Sequence, residues 1–94
     1  MNERIKEALN LLQEECAEVI VEASKCRRFG LNNLHYKTGV EHRAMLEQEI
    51  GDVLALADIL MEEGVISQIG LIDAKIQKQE KLKKWSNLYE TQSK

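Results

Sequence analysis

Apolar residues in the first third of the chain recur at steps of three and four. This spacing, which continues from about Glu3 to Phe29, is that of one face of an α-helix. Gly30 follows at once and is a residue that commonly ends helices. We therefore predict a first helix over residues 3–29. Its apolar face consists of Ile5, Ala8, Leu9, Leu12, Cys16, Val19, Ile20 and Ala23.

Two further helices follow from the same pattern. The second is predicted from about Glu41 to Glu63, and it is apolar on nearly every side, as is typical of a central helix. The third is predicted from about Gln68 to Tyr89, with Ser67 as its N-terminal cap. The stretch between the first two helices contains Asn-Asn and Thr-Gly turn signals, so we interpret it as a loop with room for one short helical turn.

Length and composition support an all-α fold of three main helices per subunit. The 94 residues include no proline and five glycines, so we expect one domain over residues 1–94, with the last few residues frayed. A chain this short builds only a thin core, and we expect self-association, as a homodimer or homotetramer, to complete the bundle. The net charge of −3 gives no reason to expect a nucleic-acid surface.

The two cysteines and the apolar stretches bear on location. Cys16 and Cys26 lie ten residues apart in the first predicted helix, too far along its axis to bridge, and free thiols are typical of a reducing cytosol. The polar first residues lack the apolar region of a signal peptide, and the stretch from Val53 to Met61 is too short to span a bilayer. We therefore expect a cytoplasmic protein without membrane contact.

Acidic residues occupy unusual positions in the first two helices. At 100° per residue, Glu15, Glu18 and Glu22 share one face, beside the apolar face rather than opposite to it. In the second helix, Glu49 and Asp52 are three residues apart and lie among apolar side chains. A solvated acidic face is the commoner explanation for the first group alone. It is a weaker explanation for the second, because that helix is otherwise apolar.

Carboxylates gathered at the edge of a core repel one another unless their pKa values rise or a cation neutralises them. Oxygen ligands suit Mg²⁺, with Mn²⁺ as a substitute, and the lack of neighbouring His or Cys argues against zinc. Facing helices with acidic pairs three residues apart are an established way to build a metal site in a bundle. The sequence therefore predicts a magnesium site between the first two helices.

The motifs Glu14-Glu15-x-x-Glu18 and Glu49-x-x-Asp52 resemble those of the MazG-type all-α nucleoside triphosphate pyrophosphohydrolases. The resemblance implies a Mg²⁺-dependent enzyme that splits a nucleoside triphosphate into the monophosphate and pyrophosphate. Carried over by position, Glu15, Glu18, Glu49 and Asp52 are the implied metal ligands. Glu15 or its neighbour Glu14 is the candidate to orient or deprotonate the attacking water. The loop between the two motifs is longer here than in the family.

Three lysines are candidates for contacts with the substrate phosphates. Lys25 lies on nearly the same face as Glu18, and Lys78 and Lys81 lie near the apolar stripe of the third helix. For any one of them, an ordinary solvated lysine is the alternative explanation. Glu22 is expected beside the metal ligands rather than among them.

Two other functions remain compatible with the sequence. The same fold could hydrolyse another pyrophosphate-containing nucleotide, of the phosphoribosyl-ATP or alarmone type. The chain could also be a non-catalytic helical module whose apolar stripes mediate assembly. Dependence on magnesium separates this last alternative from the two enzymes.

Overall fold

The computed structural model describes residues 1–90 and contains three helices there. These are α1 (Glu3–Phe29), α2 (His42–Glu62) and α3 (Gln68–Trp85). No β-strand occurs within this part of the chain, so the all-helical prediction is confirmed for it. The predicted fraying at the C-terminus concerns residues 91–94, which lie outside the described residues.

Capping residues that are recognisable in the sequence determine where the helices begin and end. Asn2 caps α1, because its side-chain oxygen accepts a hydrogen bond of 2.8 Å from the backbone N–H of Ile5. Gly30 ends the helix with φ at 94°, a backbone conformation that other residues rarely adopt. Ser67 caps α3 as predicted, and its hydroxyl oxygen accepts from the N–H of Gly70 at 3.0 Å.

The third helix is shorter than predicted, since it ends at Trp85 rather than at Tyr89. The hydroxyl of Ser86 donates to the carbonyl oxygen of Leu82 at 2.6 Å, and the Ser86 N–H donates to the same oxygen. Serine side chains that bond to the backbone compete with continued helix formation. The backbone of Ser86 is accordingly extended, and the chain leaves the helix there.

The first two helices pack against each other as an antiparallel pair. One end of the pair is joined by Arg4, whose guanidinium lies 3.0 Å from a carboxylate oxygen of Glu62 and 2.6 Å from one of Glu63. Asn2 donates to Glu63 at 2.9 Å, and this bond, followed by that from Arg4, lowers the pKa of Glu63. These groups are exposed enough that their main effect is on alignment rather than on stability.

The apolar core lies along the seam between α1 and α2, and it is small. Among the described residues, the buried apolar side chains are those of Ala8, Cys26, Leu56 and Leu60. Cys16 and Cys26 are both free thiols, as expected. A core of this size gives the chain little apolar burial of its own.

Much apolar surface stays uncovered within the single chain. The helix α2 is not central, because only one of its faces packs on α1, and Ile50 and Leu54 lie exposed. The helix α3 has no buried residue and makes only sparse contacts with the other two helices. Trp85, which the pattern would place on a packed stripe, is 76% exposed. The described residues form a flat body of 44 × 40 × 15 Å.

The loop between α1 and α2 folds as a small hairpin, and its tip is closed by one helical turn, for which the sequence left room. Leu34 and Glu41 form an isolated antiparallel bridge. At its tip, the N–H of His35 donates to Val40 at 2.8 Å, and the N–H of Gly39 donates to His35 at 2.9 Å. The hairpin thereby holds its own side chains against the end of α1. No helix in the described part of the chain is long and apolar enough to cross a membrane.

Leu60→Ala should lower the free energy of unfolding by about 2–5 kcal/mol, because it leaves a cavity in the seam. Leu60 is only 3% exposed, whereas Leu88, at 63%, provides the matched control. Urea unfolding followed by circular dichroism, at one fixed protein concentration, measures both variants. Equal losses for Leu60→Ala and Leu88→Ala would contradict this description of the core.

Candidate metal centre

Three carboxylates meet at the middle of the α1–α2 seam. Glu15 comes from α1, and Glu49 and Asp52 come from successive turns of α2. One carboxylate oxygen from each lies within 4.8 Å of the corresponding oxygens of the other two. All three residues are half-buried. We refer to Glu15, Glu49 and Asp52 as the acidic cluster.

The position of the cluster follows from helical spacing. Residues three or four apart lie on the same face of a helix, so Asp52 continues the line that Leu56 and Leu60 form along α2. Those leucines are buried against α1, and the seam therefore changes from apolar to acidic one turn before Leu56. Because the helices run antiparallel, the middle of α1 brings Glu15 to this level.

The cluster changes the ionisation of Glu49. Its pKa is raised from 4.5 to about 7, first because partial burial disfavours the charged form. A hydrogen bond with the Glu15 carboxyl group comes next, followed by the negative charges of Glu15, Asp52 and Glu18. Near neutral pH, Glu49 can therefore hold a proton in its hydrogen bond with Glu15. A bound cation would replace that proton.

The donor set fits a hard divalent cation. All three groups offer oxygen. Mg²⁺ binds oxygen at about 2.1 Å in near-octahedral geometry, so neighbouring ligand oxygens lie about 3 Å apart and opposite ones about 4.2 Å apart. The three carboxylate oxygens lie within 4.8 Å of one another, close enough for side-chain rotation to gather them round one ion. Within residues 1–90, no lysine or arginine forms an ion pair with Glu15, Glu49 or Asp52. The residues present could therefore hold Mg²⁺ or Mn²⁺.

The remaining acidic candidates stand at the margin of the cluster. Glu18, a predicted ligand, is exposed and is not one of the three converging carboxylates, but its charge contributes to the raised pKa of Glu49. Glu14, the predicted catalytic neighbour, is exposed and has no hydrogen bond or ion pair within residues 1–90. The roles of both residues stay predictions.

Glu22 and Lys25 form a pair farther along the seam. Glu22 is 4% exposed, and one of its carboxylate oxygens lies 3.5 Å from the ammonium nitrogen of Lys25. The other oxygen is buried and has no hydrogen-bond partner among the described residues. Lys25 itself is half-buried, seven residues beyond Glu18. A cation thus lies on the same side of α1 as the acidic residues.

The other two candidate lysines lie on α3. Lys78 and Lys81 are exposed, and neither side chain has an ion pair or a hydrogen bond in the part of the chain that the structure describes. Because α3 makes only sparse contacts with α1 and α2, the single chain does not join either lysine to the acidic cluster.

The sequence suggests that His35 and Tyr36 could contact a base or ribose, but it does not predict the pocket that lies beside the hairpin. Its volume is about 630 Å³, and it lies at the end of the seam where α1 ends and α2 begins. The available signal was the basic and aromatic character of Arg27-Arg28-Phe29 and His35-Tyr36-Lys37, but nothing in the sequence brings these two segments together. The residues that line it are Lys25, Arg28, Phe29, Asn33, Leu34, His35, Tyr36, Lys37 and His42.

Comparison with protein-family models, with curated proteins and with solved structures gives no match to this chain. The resemblance to the MazG-type proteins therefore rests on the acidic motifs and their immediate sequence context. The acidic cluster, as a candidate metal centre, rests on geometry and charge and does not depend on that resemblance.

The raised pKa of Glu49 predicts a specific dependence of stability on pH. Because the folded-state pKa of about 7 exceeds the ordinary 4.5, this group favours folding at low pH, and its contribution is lost as the pH rises through 7. The unfolding free energies of the wild type and of Glu49→Gln are compared in EDTA. The wild-type value minus the variant value should therefore decrease as the pH rises from about 4.5 to 7. Chemical unfolding at several pH values measures the difference.

Glu47→Gln is the control, because Glu47 is an exposed residue of the same helix. Its difference from the wild type should stay flat over this pH range. Saturating Mg²⁺ should remove most of the fall seen at Glu49, since the cation neutralises the cluster. A difference at Glu49 that does not change with pH would show that the carboxyl groups do not interact.

Proposed function

We propose that this chain is a magnesium-dependent nucleotide pyrophosphohydrolase. It would convert a nucleoside triphosphate and water into the nucleoside monophosphate and pyrophosphate. The bond broken is the anhydride bond between the α- and β-phosphates, and oxygen from water joins the α-phosphorus. The motifs on α1 and α2 are the reason for choosing this reaction among those that use magnesium.

The observation that carries the proposal is the convergence of Glu15, Glu49 and Asp52, which form no ion pair with a lysine or arginine within residues 1–90. An enzyme that hydrolyses a polyphosphate needs a cation between its own carboxylates and the phosphates, which are all negative. Carboxylates that are held together at a cost in repulsion serve this purpose, because they attract a cation and leave some of its coordination positions open. A structural ion pair would instead have placed an Arg or Lys there.

The bound ion would offset the phosphate charge and polarise the phosphorus that is attacked. The protein side chains have the other tasks. Glu49 and Asp52 present their oxygens from one rigid helix, which fixes their spacing. Glu15 shares a hydrogen bond with Glu49, and either it or the neighbouring Glu14 would accept the proton of the attacking water.

Lysines would bind the phosphates that the ion does not reach. Lys25 is the best placed within one chain, because it is held by Glu22 on the same side of α1 as Glu15. Lys78 and Lys81 would act only if a second copy brought its α3 near the cluster. This assignment explains why two exposed lysines of one chain lack carboxylate partners within residues 1–90.

We also propose that the active form is an oligomer of this chain. The helix α3 exposes Ile69, Ile72 and Ile76, which lie at helical spacing on one face. The helix α2 exposes Ile50 and Leu54 in the same way. A chain with so small a core gains most by covering these surfaces with another copy of itself.

The function is tested by a panel of ribonucleoside and deoxyribonucleoside triphosphates with Mg²⁺ or Mn²⁺, with product analysis. We expect pyrophosphate and a monophosphate from at least one substrate, and no product in EDTA. Glu49→Ala and Asp52→Ala should each lower kcat/KM by at least about 100-fold, because even the outer partners of metal ligands contribute 10–100-fold.

Glu47→Ala is the matched control, and it should retain activity because Glu47 is exposed and outside the cluster. Phosphoribosyl-ATP and alarmones extend the panel to other pyrophosphate-containing nucleotides. The hydrolase proposal is wrong if no substrate is cleaved and if Mg²⁺ does not raise the Tm in a way that Glu49→Ala abolishes. The exposed apolar faces would then favour a non-catalytic module for helix assembly.

Ile76→Glu should shift the chain toward the monomer, because it places a charge on the apolar face of α3. Gln77→Glu adds the same charge about 100° round the helix and should leave assembly unaltered. Sedimentation velocity at several protein concentrations measures the distribution of species. A wild-type chain that stays monomeric at the highest concentration would contradict the proposed oligomer.

A further inference from the structure

The pocket at the hairpin has a lining that calls for a particular kind of ligand. Its walls combine aromatic rings with cationic groups, and no carboxylate residue lines it. Its volume of about 630 Å³ lies within the range typical of small-molecule sites. The acidic cluster lies elsewhere along the same seam, so the chain has two neighbouring regions of opposite charge.

Two cations of the pocket have no anionic partner. The guanidinium of Arg28 lies 4.9 Å from the ring centre of Phe29, and the ammonium of Lys37 lies 5.6 Å from that of Tyr36. Neither side chain forms an ion pair within residues 1–90. Aromatic rings beside cations that have no ion pair suit a ligand that combines a flat ring with a negative charge.

The aromatic rings are arranged in two stacked pairs. Phe29 and His42 lie with ring centres 5.6 Å apart, and His35 and Tyr36 lie 5.0 Å apart. His42 is buried, which makes the first pair a fixed wall. Tyr36 is 85% exposed, so most of its ring is available for stacking on a ligand.

Lys25 connects the pocket to the acidic cluster. Its side chain lines the pocket and also pairs with Glu22. Glu15, the member of the acidic cluster on α1, lies ten residues from Lys25, which corresponds to about 15 Å along the helix. Only a ligand extended along the seam could have one end among the aromatic rings and its phosphates near the carboxylates.

We propose that this pocket binds the base of the nucleotide, by stacking on Tyr36 and on the Arg28 guanidinium. The assignment of the phosphate end rests on the function proposed above, whereas the pocket itself is argued from its own lining. A bare phosphate or pyrophosphate would use the cations and leave the rings of Phe29 and Tyr36 without a role. The rings are what favour a base.

The test is a binding measurement without metal and without turnover. The full chain, in EDTA, is titrated by NMR or calorimetry with AMP, GMP, CMP, UMP and dTMP, and separately with inorganic phosphate. At least one monophosphate should bind and saturate. Tyr36→Ala should weaken that binding by about 5- to 150-fold, which is the range for loss of one stacked ring. Tyr36→Phe should retain it.

Tyr89→Ala controls for the loss of any tyrosine, and this variant should bind as the wild type does. Because Tyr36 is exposed, its variants should fold, and circular dichroism verifies this.

The pocket proposal is overturned if no monophosphate saturates, or if Tyr36→Ala leaves the affinity unaltered. It is also overturned if Tyr36→Ala weakens the binding of inorganic phosphate and of the monophosphate equally. The pocket would then recognise only the negative charge. These results are independent of the hydrolase assay. A chain that binds a monophosphate through Tyr36 but cleaves no triphosphate would retain the pocket and lose the proposed reaction.

Discussion

The repulsion among carboxylates in the α1–α2 seam is the constraint on which the functional argument depends. The seam is the main packed surface of the chain, and its centre holds acidic groups where an apolar pair would stabilise the fold more. The raised pKa of Glu49 reflects its partial burial first, and then its hydrogen bond with Glu15 and the negative charges around it. A carboxyl group perturbed in this way marks a candidate functional site, and the three oxygens together could hold a divalent cation.

The sequence predicted the helices well because their signals are local. Asn2, Gly30 and Ser67 act within one turn of themselves, and the structure has α1 over the predicted residues. The end of α3 was missed because the Ser86 hydroxyl competes for the Leu82 carbonyl, a choice that helical periodicity does not encode. The central position expected for α2 was wrong within one chain, since an apolar pattern shows that surface needs covering without showing what covers it.

Part of the acidic cluster could be predicted from the sequence, because that part also depends on local spacing within one helix. Glu49 and Asp52 lie on one helix, and their spacing alone places them together. Glu15 had to be selected from several glutamates of α1, and helical geometry was sufficient to favour it over Glu14. The pocket was beyond reach, because it depends on the hairpin that returns Tyr36 toward the end of α1, a contact between segments that no periodicity links.

The two ends of the α1–α2 pair also set its register. At one end, Arg4 joins the pair to Glu62 and Glu63, and at the other, Phe29 stacks on His42. A slip of one helical turn would move the facing residues by about 5.4 Å, which exceeds the whole spread of the carboxylate oxygens. Contacts far from the cluster therefore fix the distances within it, and any metal ion held by the cluster would bind less tightly if the two helices shifted.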